Sequence, residues 1–124
     1  MTTSDTPEVI QTPELTSTFT IDITSVKTGN IGNLTDVIKI VTFTVTATKN
    51  GKSFTVPPYT VELSDPDPNN FTPFSQVTKQ QLINWLETDP RVNPTVRNLR
   101  YAAEWNVDKL IAEGSYTEKP LPWN

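Results

Sequence analysis

The stretch "VTFTVTATKNGKSFTVPPYTVEL", residues 41–63, decides the fold. Val41, Phe43, Val45 and Ala47 alternate with Thr42, Thr44, Thr46 and Thr48, the period of two by which a strand buries one face and wets the other. The run stops at Lys49-Asn50-Gly51-Lys52, where Asn-Gly offers the two positive-φ positions that a type I′ hairpin turn requires. A two-residue loop at 50 and 51 sets Ala47 opposite Phe54 and Val45 opposite Val56. Past Val56 the apolar residues move from even numbers to odd ones, at Tyr59, Val61 and Leu63. A one-residue change of parity turns every later side chain over, unless an extra residue is inserted. Pro57-Pro58 stands at the change, and sheets tolerate proline at edges and bulges, so a bulge is predicted there. With it, Phe43 faces Tyr59 and Val41 faces Val61.

Upstream, "STFTIDITSV" (residues 17–26) sets Phe19, Ile21 and Ile23 against Thr20, Asp22 and Thr24, a second half-buried strand. "KTGNIGN" then brings two glycines and two asparagines, which predicts a turn or loop between 27 and 35. Residues 1–15 are polar, threonine-rich and broken by Pro7 and Pro13. They read as an extended arm outside the core, with Val9, Ile10 and Leu15 as its only apolar anchors.

Downstream, "SDPDPNN" (residues 64–70) is a rigid polar loop that closes the sheet region. In "FTPFSQVTKQQLINWLE" (residues 71–87), Thr78 is an N-cap, Gln81 its capping-box partner, and Val77 and Leu82 a hydrophobic staple. Leu82, Ile83 and Leu86 make one helical stripe, with Trp85 beside it. Asn93-Pro94 reads as a cap followed by proline at the first helical position. Leu99, Ala103, Val107, Leu110 and Ile111 recur at helical spacing, and Gly114 offers a stop. "EKPLPWN" is too rich in proline for either regular state and offers Leu121 and Trp123 as docking residues.

The 124 residues suit one domain with one core. The fold class expected is α+β: an antiparallel sheet over 17–64, then two helices packed on it at about 79–88 and 94–113. A docking tail over 115–124 and the arm over 1–15 flank this single domain of residues 16–124.

The composition excludes more chemistry than it suggests. There is no histidine and no cysteine, so the usual general base, the commonest metal ligand and every thiol reaction are missing. A net charge of −4 leaves no basic stripe for phosphates, which argues against nucleic acid and anionic membranes as partners. No run of about eighteen apolar residues is present, and the first residues lack the charged and apolar regions of a secretory signal. The four glycines are scattered and form no phosphate loop.

Three groups carry weaker signals. Asp65, Asp67 and Asn69 have the spacing that opens a calcium loop, but Asn70 and Gln76 stand where glycine and glutamate are required, so a solvated turn is expected. Glu104 and Asp108 are four apart on the second helix, yet Arg100 lies four before Glu104, so an exposed charged face is expected rather than an acid/base pair. Among the aromatics, Trp85 reads as core, while Trp105 falls off the stripe and suits either an interface or packing against the tail. No catalytic, metal or cofactor-binding residue is assigned. The partner-contact candidates are Val9, Ile10, Leu15, Trp105, Leu121 and Trp123.

The order of these pieces resembles a family of small, largely uncharacterised proteins of tailed bacteriophages, marine ones and cyanophages especially. The residues that carry the likeness are Phe71, Pro73 and Phe74 in a Phe-x-Pro-aromatic turn, Thr78 capping a helix that bears Trp85, and the terminal Leu121-Pro122-Trp123. The similarity runs over residues 17 to 124 in outline. It implies a phage protein located in the virion, carries over no catalytic or binding residue and leaves the position in the particle open. The expectation drawn is a non-enzymatic structural protein, present in multiple copies and binding other virion proteins of the tail, portal vertex or capsid. A tail or tail-appendage component is the first expectation and a capsid decoration protein the second. A host-surface module that grips sugar through Trp or Tyr faces, with Asp65 and Asp67 on calcium, is a further alternative, as is a small intracellular phage protein.

Overall fold

The computed structural model describes residues 15–123. Four strands are followed by two helices: β1 (Thr18–Ile31), β2 (Leu34–Lys49), β3 (Lys52–Thr55), β4 (Tyr59–Glu62), α1 (Lys79–Thr88) and α2 (Asn93–Glu113). The fold is therefore an antiparallel sheet with helices after it, as the sequence pattern indicates. β2 is the central strand. β1 runs along one of its edges, while β3 and β4 lie end to end along the other.

The predicted turn is present, and in place of the predicted bulge the returning strand breaks at Val56, Pro57 and Pro58 and resumes with its register moved by one residue. Asn50 and Gly51 have φ of 51° and 76°, as a type I′ turn needs. Ala47 pairs with Phe54, and the Val56 amide donates to the Val45 carbonyl at 2.9 Å. Beyond the two prolines the register has shifted by one, so Phe43 pairs with Tyr59 and Val41 with Val61. β3 and β4 form an outer edge, where the amide hydrogens that proline lacks are not needed by a further strand.

β1 also shifts its register. Its pairing runs from Thr18 opposite Thr48 to Ile23 opposite Phe43, skips Thr24, and resumes with Ser25 opposite Thr42. The extra residue moves the apolar set from Ile23 to Val26 and keeps both packed on the core. The loop expected over 27–35 is accordingly too wide. β1 continues through Ile31, and the turn is Gly32-Asn33 alone, with Gly32 at φ 58°. Further register shifts between Lys27 and Ile31 absorb the irregular composition there.

The two faces of β2 divide as the alternation demands. Val41, Phe43, Val45 and Ala47 are buried with Leu82, Leu86, Val96, Ala103 and Val107 of the helices. On the opposite face hydroxyls pair across strands, Thr42 with Thr60 at 2.8 Å, Thr46 with Thr55 at 2.7 Å and Thr48 with Ser53 at 2.8 Å. Such pairs add modest support to a sheet whose main stabilisation is burial on its other face.

α1 begins where its cap predicts, since Thr78 Oγ1 accepts from the Gln81 amide at 3.1 Å. The capping box is only half made, because the Gln81 side-chain amide donates to Thr72 Oγ1 at 2.9 Å and so ties the helix to the preceding loop. Thr78→Ala is expected to cost about 1 kcal/mol, read as a lower urea midpoint at unchanged slope.

α2 starts one residue earlier than expected and is not capped by Asn93. Val92 is its N-cap residue and provides no side-chain cap, while the Asp89 carbonyl accepts from the amides of Val92 and Asn93. Gly114 follows the helix with φ −64°, so it is not a left-handed stop. A Cβ there would meet the Ile111 carbonyl oxygen at 3.2 Å, so what Gly114 provides is close approach to that carbonyl.

Candidate functional site

A cleft of about 320 Å³ opens where the start of β2, the loop after β4 and the junction of α1 with α2 converge. Val37, Ile38 and Leu63 line it as buried residues, and Phe71, Val77 and Trp85 as half-buried ones. Phe74 stands in the lining with 45% of its surface exposed. Four carboxylates, Asp36, Asp65, Asp67 and Asp89, are distributed round this apolar interior.

The loop that builds one wall is folded by local polar chemistry. Asp67 caps a short 3-10 turn, Pro68–Asn70, by accepting from the Asn69 amide at 2.9 Å. A second such turn, Phe74–Gln76, follows Pro73 and delivers the chain to the Thr78 cap. Lys39 reaches across from β2 to the Leu63 carbonyl and to Asp65 Oδ1, both at 2.6 Å.

Asp89 holds the opposite wall. Its carboxylate accepts from the Ser64 amide at 2.7 Å, the Ser64 hydroxyl at 2.8 Å and the Arg91 amide at 2.9 Å. Burial pushes its pKa up, but these hydrogen bonds and the Arg91 charge outweigh burial and leave it below the ordinary carboxylate value.

Each carboxylate thus has a different environment. Asp65 is paired with Lys39, Asp67 and Asp89 bind backbone amides, and the Asp36 side chain makes no hydrogen bond or ion pair among the described residues. Asp36 is also held at φ 53°, a left-handed conformation that aspartate tolerates better than most residues. The Asp65–Asp67 stretch is a structured turn, and among the described residues no three carboxylates converge in a way that could hold a metal ion.

The expected charged face of α2 needs correction at Glu104. This residue is only 8% exposed, and its Oε1 accepts from the amides of Thr16 at 2.9 Å and Ser17 at 2.6 Å. Burial pushes its pKa up, yet the hydrogen bonds from Ser17 and Thr16 and the Lys49 charge outweigh it, and the carboxyl sits below its ordinary value. Arg100 does not pair with Glu104. It pairs instead with Glu87 of α1 and lies over the Phe19 ring, 5.9 Å from its centre. Asp108 accepts from Lys49 at 2.8 Å, and that bond raises the Lys49 pKa. Glu104 is three residues before Val107, on the flank of the apolar stripe, a position the helical period could have flagged. Its partners lie 87 and 88 residues away in the chain, which no local pattern reveals.

The partner-contact candidates are scattered. Leu15 is half-buried beside the Glu104 clamp, and Val9 and Ile10 lie outside the described residues. Trp105 is 61% exposed, with Lys109 Nζ 4.8 Å from the ring centre. Leu121 and Trp123 are exposed, as is Tyr116. None of the described candidates, Leu15, Trp105, Leu121 and Trp123, lines the cleft. Trp85, read as a core residue, packs half-buried against the core and also forms part of the cleft wall.

A family model, the domain of unknown function DUF7936, matches residues 14–123. The chain belongs to the DUF7936 family. The matched span takes in the cleft, the Glu104 clamp and the exposed segment after α2, so all three are parts of the DUF7936 domain. No curated protein and no solved structure matches the chain. No helix among the described residues is long and apolar enough to cross a membrane.

Proposed function

We infer that this DUF7936 chain is a non-enzymatic structural protein of a tailed-bacteriophage virion, bound in multiple copies to other virion proteins at the tail or its appendages. The observation that carries the reading is the exposure of Trp105, Tyr116, Leu121 and Trp123 on one helix and the segment that follows it. Tryptophan and tyrosine are the side chains most enriched at protein contacts, where a large apolar body and a polar tip are both satisfied. The likeness of the Phe71–Phe74 turn, the Thr78-capped helix and the Leu-Pro-Trp end to tailed-phage proteins supports the setting.

The reading is tested by peptide mass spectrometry on gradient-purified particles of the encoding phage, with copy number scaled to the major capsid protein. A handful to a few dozen copies per particle is the expected result. Hundreds of copies would move the chain to the capsid surface or tail tube. Absence from intact particles would overturn the virion reading.

A further inference from the structure

We propose that the cleft receives the Pro120-Leu121-Pro122-Trp123 segment of a second copy of this chain, so that copies join head to tail. This stands apart from the virion reading, since a chain can enter particles without this contact and can make it outside them.

Both halves of the contact are present, and among the described residues neither is satisfied within one copy. The cleft presents Phe71, Phe74 and Trp85 over an apolar floor. Aromatic-lined grooves are a recurring receptor for proline-containing segments, whose extended conformation is already formed before binding and loses little entropy on docking. The segment Lys119-Pro120-Leu121-Pro122-Trp123 alternates proline with two large apolar residues, and Trp123 is 70% exposed. The cleft volume of about 320 Å³ lies at the lower end of the range for small-ligand pockets and suits one large side chain with a neighbour.

Chain geometry selects the second copy over the first. The cleft is at the N-terminal end of α2, beside Asp89 and Pro90, whereas the segment leaves from the C-terminal end. A helix of 21 residues is about 31 Å long. The amides of Gly114, Ser115 and Tyr116 bond back to the helix, which leaves residues 117–123 to cover that span. Seven residues reach at most about 25 Å. Every residue from 112 to 123 is exposed, so the segment does not run back along the helix.

Charge fits the same arrangement. The cleft carries Asp36, whose side chain is unpartnered among the described residues, and Lys119 stands just before the segment that enters. Glu118 precedes Lys119 and stays outside the contact. A head-to-tail contact uses two different surfaces, so it generates closed rings or open filaments rather than an isolated two-fold dimer.

The test uses the full chain carrying Trp123→Ala, whose cleft is intact and whose own segment is disabled. A dye-labelled peptide of residues 115–123 is titrated against it by fluorescence anisotropy. Saturable binding is expected, weakened roughly tenfold or more when the peptide carries the Trp123→Ala change or the protein also carries Phe74→Asp. Phe74 is nearly half exposed, and a far-UV spectrum like that of the parent confirms that Phe74→Asp folds. In sedimentation velocity the wild type should associate with rising concentration, and each single variant should stay monomeric. An equimolar mixture of Trp123→Ala and Phe74→Asp should form dimers and stop there, because only one competent cleft meets one competent segment. A peptide that fails to saturate, or association that persists in the Trp123→Ala chain, overturns the proposal and leaves the cleft to another occupant.

Discussion

Phe43→Ala is expected to cost about 3–5 kcal/mol, against a total stability of roughly 5–15 kcal/mol for a domain of this kind. Phe43 is fully buried, in the middle of the longest strand, between Ile23 of β1 and Tyr59 of β4. The ring lies on the face covered by the helices, so its loss removes contacts to both layers at once and leaves a cavity that a sheet bonded on both sides cannot collapse to fill. Urea denaturation should show a midpoint lowered by roughly a fifth or more at unchanged slope. Phe43→Leu, which keeps most of the volume, should lose less than half as much. A loss below about 1 kcal/mol for the alanine variant would mean that the sheet face at Phe43 is not the closed centre of the core.

The parts of this fold that could be read from the sequence are those set by short-range rules. The alternation from Val41 to Thr48 needs only the period of a strand, and Asn50-Gly51 needs only the positive φ of a type I′ turn. The register shift at Pro57-Pro58 follows from a parity change visible in the numbers of the apolar residues. The same logic was open to the first strand, where apolar positions move from Ile23 to Val26, but the glycines and asparagines of residues 27–33 outweighed it and suggested a loop. They are tolerated because β1 is an edge strand: Gly29 is exposed, and a Cβ there would meet nothing within 4 Å.

The cleft was not legible for the opposite reason. It is assembled from three distant segments, around Asp36–Ile38, Leu63–Val77 and Trp85–Pro90, and none carries a signature of its own. Asp65 and Asp67 have the opening spacing of a calcium loop but read as a turn, and in that turn one pairs with Lys39 and the other caps a 3-10 turn. Trp85 packs against the core, as its place beside the helical stripe indicates, because a helical period says which face a residue occupies. It does not say whether the neighbouring loop closes over that face.

Glu104→Ala is expected to cost about 2–3 kcal/mol, because it strands the amides of Thr16 and Ser17 where β1 enters the sheet. Glu104→Gln keeps one oxygen to accept from them and should cost about 1 kcal/mol, the difference between a charged and a neutral acceptor. The two variants separate the role of the acceptor from the role of the charge, and pH separates them again. The folded-state pKa of Glu104 lies below its unfolded value, so the unfolded chain binds the proton more readily. The stabilisation from its charge is therefore full above the ordinary carboxylate range and is lost as pH falls through the depressed folded value. Asp89 has a shift of the same sign, but it is present in both chains and cancels when they are compared. Urea midpoints for the wild type and Glu104→Gln should differ most near pH 7 and converge as pH falls below the ordinary carboxylate range, through the depressed folded value. A gap that stays constant with pH would mean that the carboxylate charge contributes nothing and that Glu104 acts only as a neutral acceptor. Convergence would make the clamp between α2 and the start of β1 an acid-labile fastening. Hydrogen exchange at the Thr16 and Ser17 amides should then quicken at low pH, relative to the β2 amides, before the rest of the domain opens.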